Sequence, residues 1–181
     1  DGVINVSGIE AGATLEYSLD NNTTWTSFSG TSFTLPENTY ASNAVQVRQT
    51  DSVGNVVGNV ESFDALTVDT TAPVIGNLSY TDTGSSATDG ITKNATIAVA
   101  SLESGATWEY SKDSGTTWAT GTGTSFTLGA GTYAANAIQM RETDKAGNVQ
   151  TGTLISKISS AITLDTIAPS IGTLALASDT G

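Results

Sequence analysis

Carboxylate and amide side chains recur at fixed spacing in this chain, and their oxygen atoms are the groups best suited to chemistry. Asp51 and Asn55 lie four residues apart in TDSVGN, and Asp144 and Asn148 have the same spacing in TDKAGN. Such oxygens are the ligands that Ca²⁺ prefers. The same spacing also suits an aspartate that caps its own turn. Both interpretations stay open at this point.

Further acids form three more groups along the chain. One group lies in VDTTAP and LDTIAP, and a second lies in the loop DTGSSATDG. The third is Glu103, in a turn whose copy carries Glu10. Zn²⁺ is disfavoured because His and Cys are absent, and Mg²⁺ because it demands rigid octahedral geometry. The candidate Ca²⁺ ligands are therefore Asp51, Asp69, Asp82, Asp89, Glu103, Asp144, Asn148 and Asp165.

No residue pattern supports catalysis. Glu16 and Glu109 recur at matching positions, but a catalytic pair of carboxylates needs a cleft and an acid of raised pKa. Gly121 begins GTGT, which resembles a phosphate-binding loop, yet no helix follows and the matching residue is Phe28. We therefore expect surface acids, an ordinary turn and no enzyme.

The charge balance limits the partners of the protein. Its 181 residues include 18 acids and 6 bases, which gives a net charge of −12. Such a surface repels nucleic acid and anionic membranes and attracts divalent cations. No apolar run is long enough to span a membrane. We expect no nucleic-acid binding and no membrane insertion.

The elements that must position these acids are repeated. Residues 11–55 match residues 104–148 at a constant offset of 93, and 27 of the 45 positions are identical. VDTTAP and LDTIAP match at an offset of 96, so the second copy has three additional residues. A tandem array of units of about 96 residues follows.

Short alternating segments separated by turn residues run through both copies. Ile97 and Val99 share one face of their segment, as do Ile138 and Met140, and the first copy repeats the pattern. This pattern predicts an all-β fold of two tandem immunoglobulin-like β-sandwiches with Greek-key connections. Tyr133 and its copy Tyr40 stand where such a domain places a tyrosine whose hydroxyl bonds to the upstream backbone.

This topology predicts which acids come together. In such a sandwich, Asp69 should meet Glu103, Asp144 and Asn148 across the junction between the copies. At the other end of the second copy, Asp82 and Asp89 should lie near Asp165. Carboxylates this close repel one another unless a cation neutralises them, so we expect structural Ca²⁺ that rigidifies the junction. Solvated loop acids are the alternative.

The tryptophans carry two separate predictions. Trp25 and Trp118 recur in both copies, which favours core packing. Trp108 replaces Leu15 of the first copy, so it is the aromatic residue to consider if the chain is instead a module that binds a glycan or a host protein.

The runs GATWEYS, GTSFTL, TYAANAIQ, RETDKAGN and LDTIAP resemble the bacterial Ig-like tandem repeats of giant type I-secreted adhesins of the RTX and biofilm-associated kinds. The resemblance covers essentially the whole chain. It implies a secreted, cell-surface stalk that supports adhesion or biofilm formation. It also implies Ca²⁺ at the domain junctions and neighbouring repeats of the same chain as partners, with glycan or host surfaces bound through other domains. Asp69 and Asp165 match the junction acids of that family.

The repeat register gives the domain boundaries. Residues 1–70 form one repeat without its first strand, and residues 71–167 form a second repeat. Residues 168–181 resemble the beginning of the second repeat. They are the first strand of a following repeat or, alternatively, the last strand of the second domain.

Overall fold

The regular secondary structure of the described residues is almost entirely β. The computed structural model describes residues 2–57, 63–74 and 76–177. These residues divide into two compact units, with unit 1 spanning Asp1–Thr71 and unit 2 spanning Ala72–Gly181. Within the described ranges, one turn of 3₁₀-helix at Gly152–Leu154 is the only helix, and no helix is long and apolar enough to cross a membrane. The all-β prediction is confirmed.

Unit 1 contains eight strands in three small sheets. The sheet orders are β1-β4, β3-β2-β6-β7 and β5-β8, and all pairings are antiparallel. The strands are β1 (Val3–Asn5), β2 (Thr14–Ser18), β3 (Thr26–Phe28), β4 (Ser32–Thr34), β5 (Asn38–Tyr40), β6 (Gln46–Thr50), β7 (Val56–Val57) and β8 (Leu66–Val68).

Unit 2 contains ten strands, also in three sheets. The orders are β14-β11-β9, β13-β12-β16-β17 and β10-β18-β15, and β10 pairs with β18 in parallel. Several layered sheets around one core are consistent with a β-sandwich. The strands are β9 (Asn77–Tyr80), β10 (Ile91–Thr92), β11 (Thr96–Ala100), β12 (Thr107–Ser111), β13 (Ala119–Thr120), β14 (Ser125–Thr127), β15 (Gly131–Tyr133), β16 (Gln139–Thr143), β17 (Ser156–Lys157) and β18 (Ile162–Leu164).

The sequence repeat reappears as a repeat of strand register. Glu16 lies opposite Arg48 in the β2·β6 pair, and Glu109 lies opposite Arg141 in the β12·β16 pair. Both pairs form an ion pair, at 2.6 and 2.7 Å. The units differ at one edge, because β11 lies between β14 and β9 whereas β1 pairs with β4 alone among the described strands.

The alternating segments bury the predicted face. In unit 2, Ile97, Val99, Ile138 and Met140 are all at most 3% exposed, and they belong to one core cluster. Unit 1 has the matching cluster around Phe33, Leu35 and Val45. Burial of these apolar faces is the main stabilising contribution within each unit.

Trp25 and Trp118 were expected in the core, and this prediction is wrong. Both side chains are half-buried, and neither belongs to a core cluster. The guanidinium of Arg48 lies 4.2 Å from the ring centroid of Trp25, and that of Arg141 lies 4.3 Å from that of Trp118. Each Trp therefore covers an Arg–Glu pair on the outer face of a sheet, where cation–π attraction stabilises it.

Trp108 takes the core position instead. It is 4% exposed, and its indole N–H donates to the carbonyl of Gly123 at 3.2 Å. A Cβ on Gly121 would lie 2.2 Å from the Trp108 ring. In unit 1 the same cross-strand pair is Leu15 and Phe28. In unit 2 the indole of Trp108 lies over a residue without a side chain, whereas in unit 1 the side chains of Leu15 and Phe28 share the corresponding space.

The tyrosine prediction is confirmed in both units. The Tyr40 hydroxyl donates to the carbonyl of Pro36 at 2.9 Å, and the Tyr133 hydroxyl donates to the carbonyl of Gly129 at 2.9 Å. Each bond ties a strand to the turn four residues upstream. Burial raises the pKa of Tyr40, so its hydroxyl stays a donor.

The chain after β18 forms no regular secondary structure up to residue 177. Its apolar side chains Ile171, Leu174 and Leu176 are 97%, 103% and 82% exposed. The end of the predicted 168–181 segment, residues 178–181, lies outside the described residues.

Candidate functional site

The two TD-x-x-GN loops have the same internal hydrogen bonds. Asp144 Oδ1 accepts from the backbone N–H of Asn148 at 2.8 Å, and Oδ2 accepts from its side-chain amide at 2.8 Å. Asp51 makes the same bonds to Asn55, at 2.8 and 2.7 Å. Each aspartate therefore caps its own turn, as the alternative to metal binding predicts.

These bonds also control the charge of the two aspartates. For Asp51, the bond from the Asn55 side chain is the largest cause of a lowered pKa. For Asp144, burial acts to raise the pKa, but the bonds from Asn148 and the turn backbone outweigh it and lower the pKa. Both carboxylates stay ionised near neutral pH, as a metal ligand must.

Asp69 and Asp165 each begin a short turn after a strand. Asp69 Oδ1 accepts from the N–H of Thr71 at 3.0 Å, and Asp165 Oδ1 accepts from the N–H of Ile167 at 2.9 Å. Asp69 belongs to unit 1, whereas Glu103 and Asp144 belong to unit 2. Their meeting at a junction stays a prediction.

Asp82 and Asp89 line one surface pocket of unit 2 together with Tyr80 and Gly90. Asp82 Oδ2 accepts from the N–H of Gly90 at 2.9 Å, while its Oδ1 is shielded from solvent without a hydrogen-bond partner. Asp89 Oδ1 accepts from the N–H of Ile91 at 3.0 Å. The acids in this loop are thus brought together.

Asp165 lies apart from that pocket. It follows β18, at the far end of the β10·β18 pair, whereas Asp89 precedes β10 at the near end. Along the strand direction, the parallel register places Asp165 about four residues beyond Asp89, or roughly 13 Å at the usual rise per residue. Asp165 instead donates its N–H to the carbonyl of Thr92 at 3.0 Å.

Glu103 is hydrogen-bonded to Glu142, a residue that was not predicted to belong to the site. Its backbone N–H donates to Oε1 of Glu142 at 2.5 Å. Glu142 lies in β16 and is 0% exposed, and its Oε2 has no hydrogen-bond partner. Burial raises the pKa of Glu142; the bond from Glu103 acts to lower it, and the Glu103 charge raises it.

Gln150 holds the backbone beside Glu142. Its Oε1 accepts from the N–H of Glu142 at 2.9 Å, and its amide donates to the carbonyl of Pro73 at 3.1 Å. Gln150 is completely buried, so these bonds form away from water. They fix strand β16 to the first residues of unit 2.

The acids do not form a dense metal cluster. Among the described residues, no three Asp, Glu, His or Cys side chains come close enough together to form a metal-binding group. A cation in either unit would therefore need backbone carbonyls, amide oxygens or water as additional ligands.

The remaining candidates have structural roles. Glu16 and Glu109 are held by Arg48 and Arg141 on the sheet surface. Gly121 follows β13 and donates its N–H to the carbonyl of Trp108 at 2.9 Å. Trp108 is buried, so it offers no exposed platform for a glycan.

Comparison with known proteins gives no family for the chain. No protein-family model matches it, and no curated protein matches it.

Proposed function

We propose that the chain is a non-enzymatic extender module of a large bacterial cell-surface adhesin. In this proposal each unit is an immunoglobulin-like, Greek-key sandwich, and many such units form a secreted stalk. The observation that carries the proposal is the repetition of one unit with its core, its surface ion pair and its loop acids. A residue that recurs in every unit is better explained by a contact that each pair of neighbouring units repeats than by a single binding site.

Stiffening by Ca²⁺ is the second part of the proposal. Asp69 and Asp165 recur where one unit ends, and Asp51 and Asp144 recur in the TD-x-x-GN loops. A junction that brings an end acid to such a loop collects several negative charges, and Ca²⁺ binds them with 6–8 oxygen ligands. Low Ca²⁺ in the cytosol would leave the chain loose for type I secretion, and external Ca²⁺ would then stiffen it.

The exposed segment after β18 suits a neighbouring repeat. Residues 171–176 repeat residues 75–80, which include strand β9 of unit 2. Strand β9 pairs with β11, and Leu78 packs on the core. We therefore assign Ile171, Leu174 and Leu176 to the first strand of a following unit, whose core would cover them.

A calorimetric experiment tests the proposal. A ligand that binds only the folded state stabilises it by about 2.7 kcal/mol at a hundredfold excess over its Kd. We expect CaCl₂ to raise the melting temperature of the full chain and a chelator to reverse the effect. Asp69→Asn should weaken the response, whereas Asp64→Asn, which makes the same charge change at an exposed residue outside the candidate set, should not. Identical melting curves with and without Ca²⁺ would refute the stiffening mechanism.

A further inference from the structure

The carboxylate of Glu142 is only half satisfied. Its Oε1 accepts from the Glu103 N–H, but Oε2 has no partner and the residue is 0% exposed. A buried carboxylate without full pairing is strongly disfavoured. Neither ion pair among the described residues includes Glu142. Oε2 therefore needs a cation or a proton beside it.

Unit 1 shows what occupies this position when the residue is an amide. Gln49 matches Glu142 in the strand register. Its Oε1 accepts from the N–H of Glu10 at 3.0 Å, just as Glu142 Oε1 accepts from Glu103. Its Nε2 donates to the carbonyl of Gly8 at 3.3 Å. Both ends of the amide are satisfied within the unit.

At the matching turn of unit 2, Glu142 has a carboxylate oxygen where Gln49 of unit 1 has an amide N–H. Ser101 matches Gly8, and both have a left-handed backbone, with φ of 62° and 72°. In unit 1 the Gly8 carbonyl accepts from Gln49 Nε2, and by the repeat match we infer that the Ser101 carbonyl takes the corresponding place beside Glu142 Oε2. Two acceptors in this arrangement repel each other unless a cation or a proton lies between them.

We propose that unit 2 binds one Ca²⁺ between Glu142 Oε2, the carbonyl oxygen of Ser101 and the carboxylate of Glu103. Glu103 is exposed, so the ion can enter from solvent and keep water ligands. Unit 1 replaces this ion with the amide of Gln49. The ligand set mixes two carboxylates, a carbonyl and water, as Ca²⁺ sites commonly do.

This site shares Glu103 with the predicted junction group, but all three of its protein ligands lie in unit 2, so it needs no neighbouring unit. The inference rests on the proposed function only for the choice of Ca²⁺ as the ion. Ca²⁺ binding at Glu142 would stiffen the turn before β12 against strand β16. It would do so in units that carry Glu at this position and not in units that carry Gln.

The test is a titration of the ¹⁵N-labelled full chain with CaCl₂, followed by NMR. The signals to follow are the backbone amides of Glu103 and Glu10, which report unit 2 and unit 1. In the wild type, we expect the Glu103 amide to shift and the Glu10 amide to stay fixed. Glu142→Gln copies the bonding of unit 1 and should fold. It should weaken Ca²⁺ binding at the Glu103 signal by about tenfold or more.

A reciprocal variant serves as the matched control. Gln49→Glu should give the Glu10 amide a Ca²⁺ response like that of Glu103. Asp69→Asn removes the contribution of the junction, so a Glu103 response that persists in this variant and disappears in Glu142→Gln belongs to the Glu142 site, and the two proposals fail separately. The site is overturned if the Glu103 amide ignores CaCl₂ up to about 10 mM, well above the Kd of extracellular Ca²⁺ modules. An equal shift in Glu142→Gln also overturns it.

Discussion

Asp20 and Asp113 each hold the tight turn that follows a strand. Asp113 Oδ1 accepts from the Ser111 hydroxyl at 2.7 Å and from the Thr117 N–H at 2.8 Å, and Oδ2 accepts from the Thr117 hydroxyl at 2.6 Å. Asp20 makes the corresponding bonds in unit 1. The Thr117 hydroxyl bond is the largest cause that lowers the pKa of Asp113 to about 2.

The role of that hydroxyl can be measured. Thr117→Val removes the bond and should raise the pKa of Asp113 toward its ordinary value of 3.8. Because the folded pKa lies below the ordinary value, the ionised form stabilises unit 2 above pH 3.8. That stabilisation is lost as the pH falls through about 2. A titration of the Asp113 carboxyl carbon by NMR checks this, and Thr117→Ser should keep the low pKa. An unchanged pKa in Thr117→Val would contradict the assignment.

Residue types and spacing identified the loop acids but not Glu142. The TD-x-x-GN spacing correctly indicated two loops built around Asp51 and Asp144, although it could not separate turn capping from metal binding. Glu142 continues the inward alternation of Ile138 and Met140, and its repeat partner is the neutral Gln49. An acid at an inward position was the available signal, and only the structure shows that one of its oxygens is unpaired.

At the scale of elements, β12 and the residue after β13 show how the two copies fill the same part of the core with different side chains. The Trp108 ring occupies the space above Gly121, while Leu15 faces Phe28 across the matching ladder of unit 1. Any side chain at Gly121 meets the ring at an impossible distance. The two positions must therefore change together.

Gly121→Ala should destabilise unit 2 by forcing the Trp108 ring from its site. We expect the free energy of unfolding to fall by about 1–3 kcal/mol, which is typical for an overpacked core. Denaturant unfolding of the full chain, followed by the Trp fluorescence, measures the loss. Gly123→Ala is not a clean control because Gly123 has a positive φ of 63°, so Gly172→Ala, in open space, is preferable. Equal stability of Gly121→Ala and the wild type would refute the packing argument.

The double variant Trp108→Leu with Gly121→Phe transplants the unit 1 pair into unit 2. We expect it to recover most of the stability that Trp108→Leu alone loses, because the cavity left by the indole is refilled. The same unfolding experiment applied to the two single variants and the double variant gives the coupling energy. Additive effects of the two substitutions would show that the positions are independent.

The tyrosine hydroxyls should contribute unequally. Tyr40→Phe removes a bond from a residue that is 4% exposed, and Tyr133→Phe removes one from a half-buried residue. We expect a loss of about 1 kcal/mol in unit 1 and a smaller loss in unit 2, since water can replace the second bond. Thermal unfolding of both variants compares the losses. A larger loss in Tyr133→Phe would reverse this ranking.

Alternation predicted the strands well because a period of two determines which side chains share a face. It did not determine which face of a sheet is covered. Trp25 and Trp118 follow turns, so their face depends on the partner strand and not on their own neighbours. Their Arg partners come from β6 and β16, which are distant in sequence. Contacts of this kind cannot be derived from local pattern.

At the scale of the whole molecule, the offset of 93 residues predicted two similar sets of strands, and the two sets share the register of their central pair. Under the proposed function, the acids that are copied in each unit connect the units of a stalk. The sequence could not show how the units meet, because that depends on surfaces and ions that no residue pattern encodes. The proposed function requires that Ca²⁺ stiffens such an array.

Small-angle X-ray scattering of the full chain tests that claim most directly. The measurement compares the distribution of pair distances in CaCl₂ and in a chelator, for the wild type and Asp69→Asn. The proposal predicts a longer and narrower distribution in Ca²⁺, which the chelator broadens and Asp69→Asn no longer attains. Superimposable profiles with and without Ca²⁺ would contradict it.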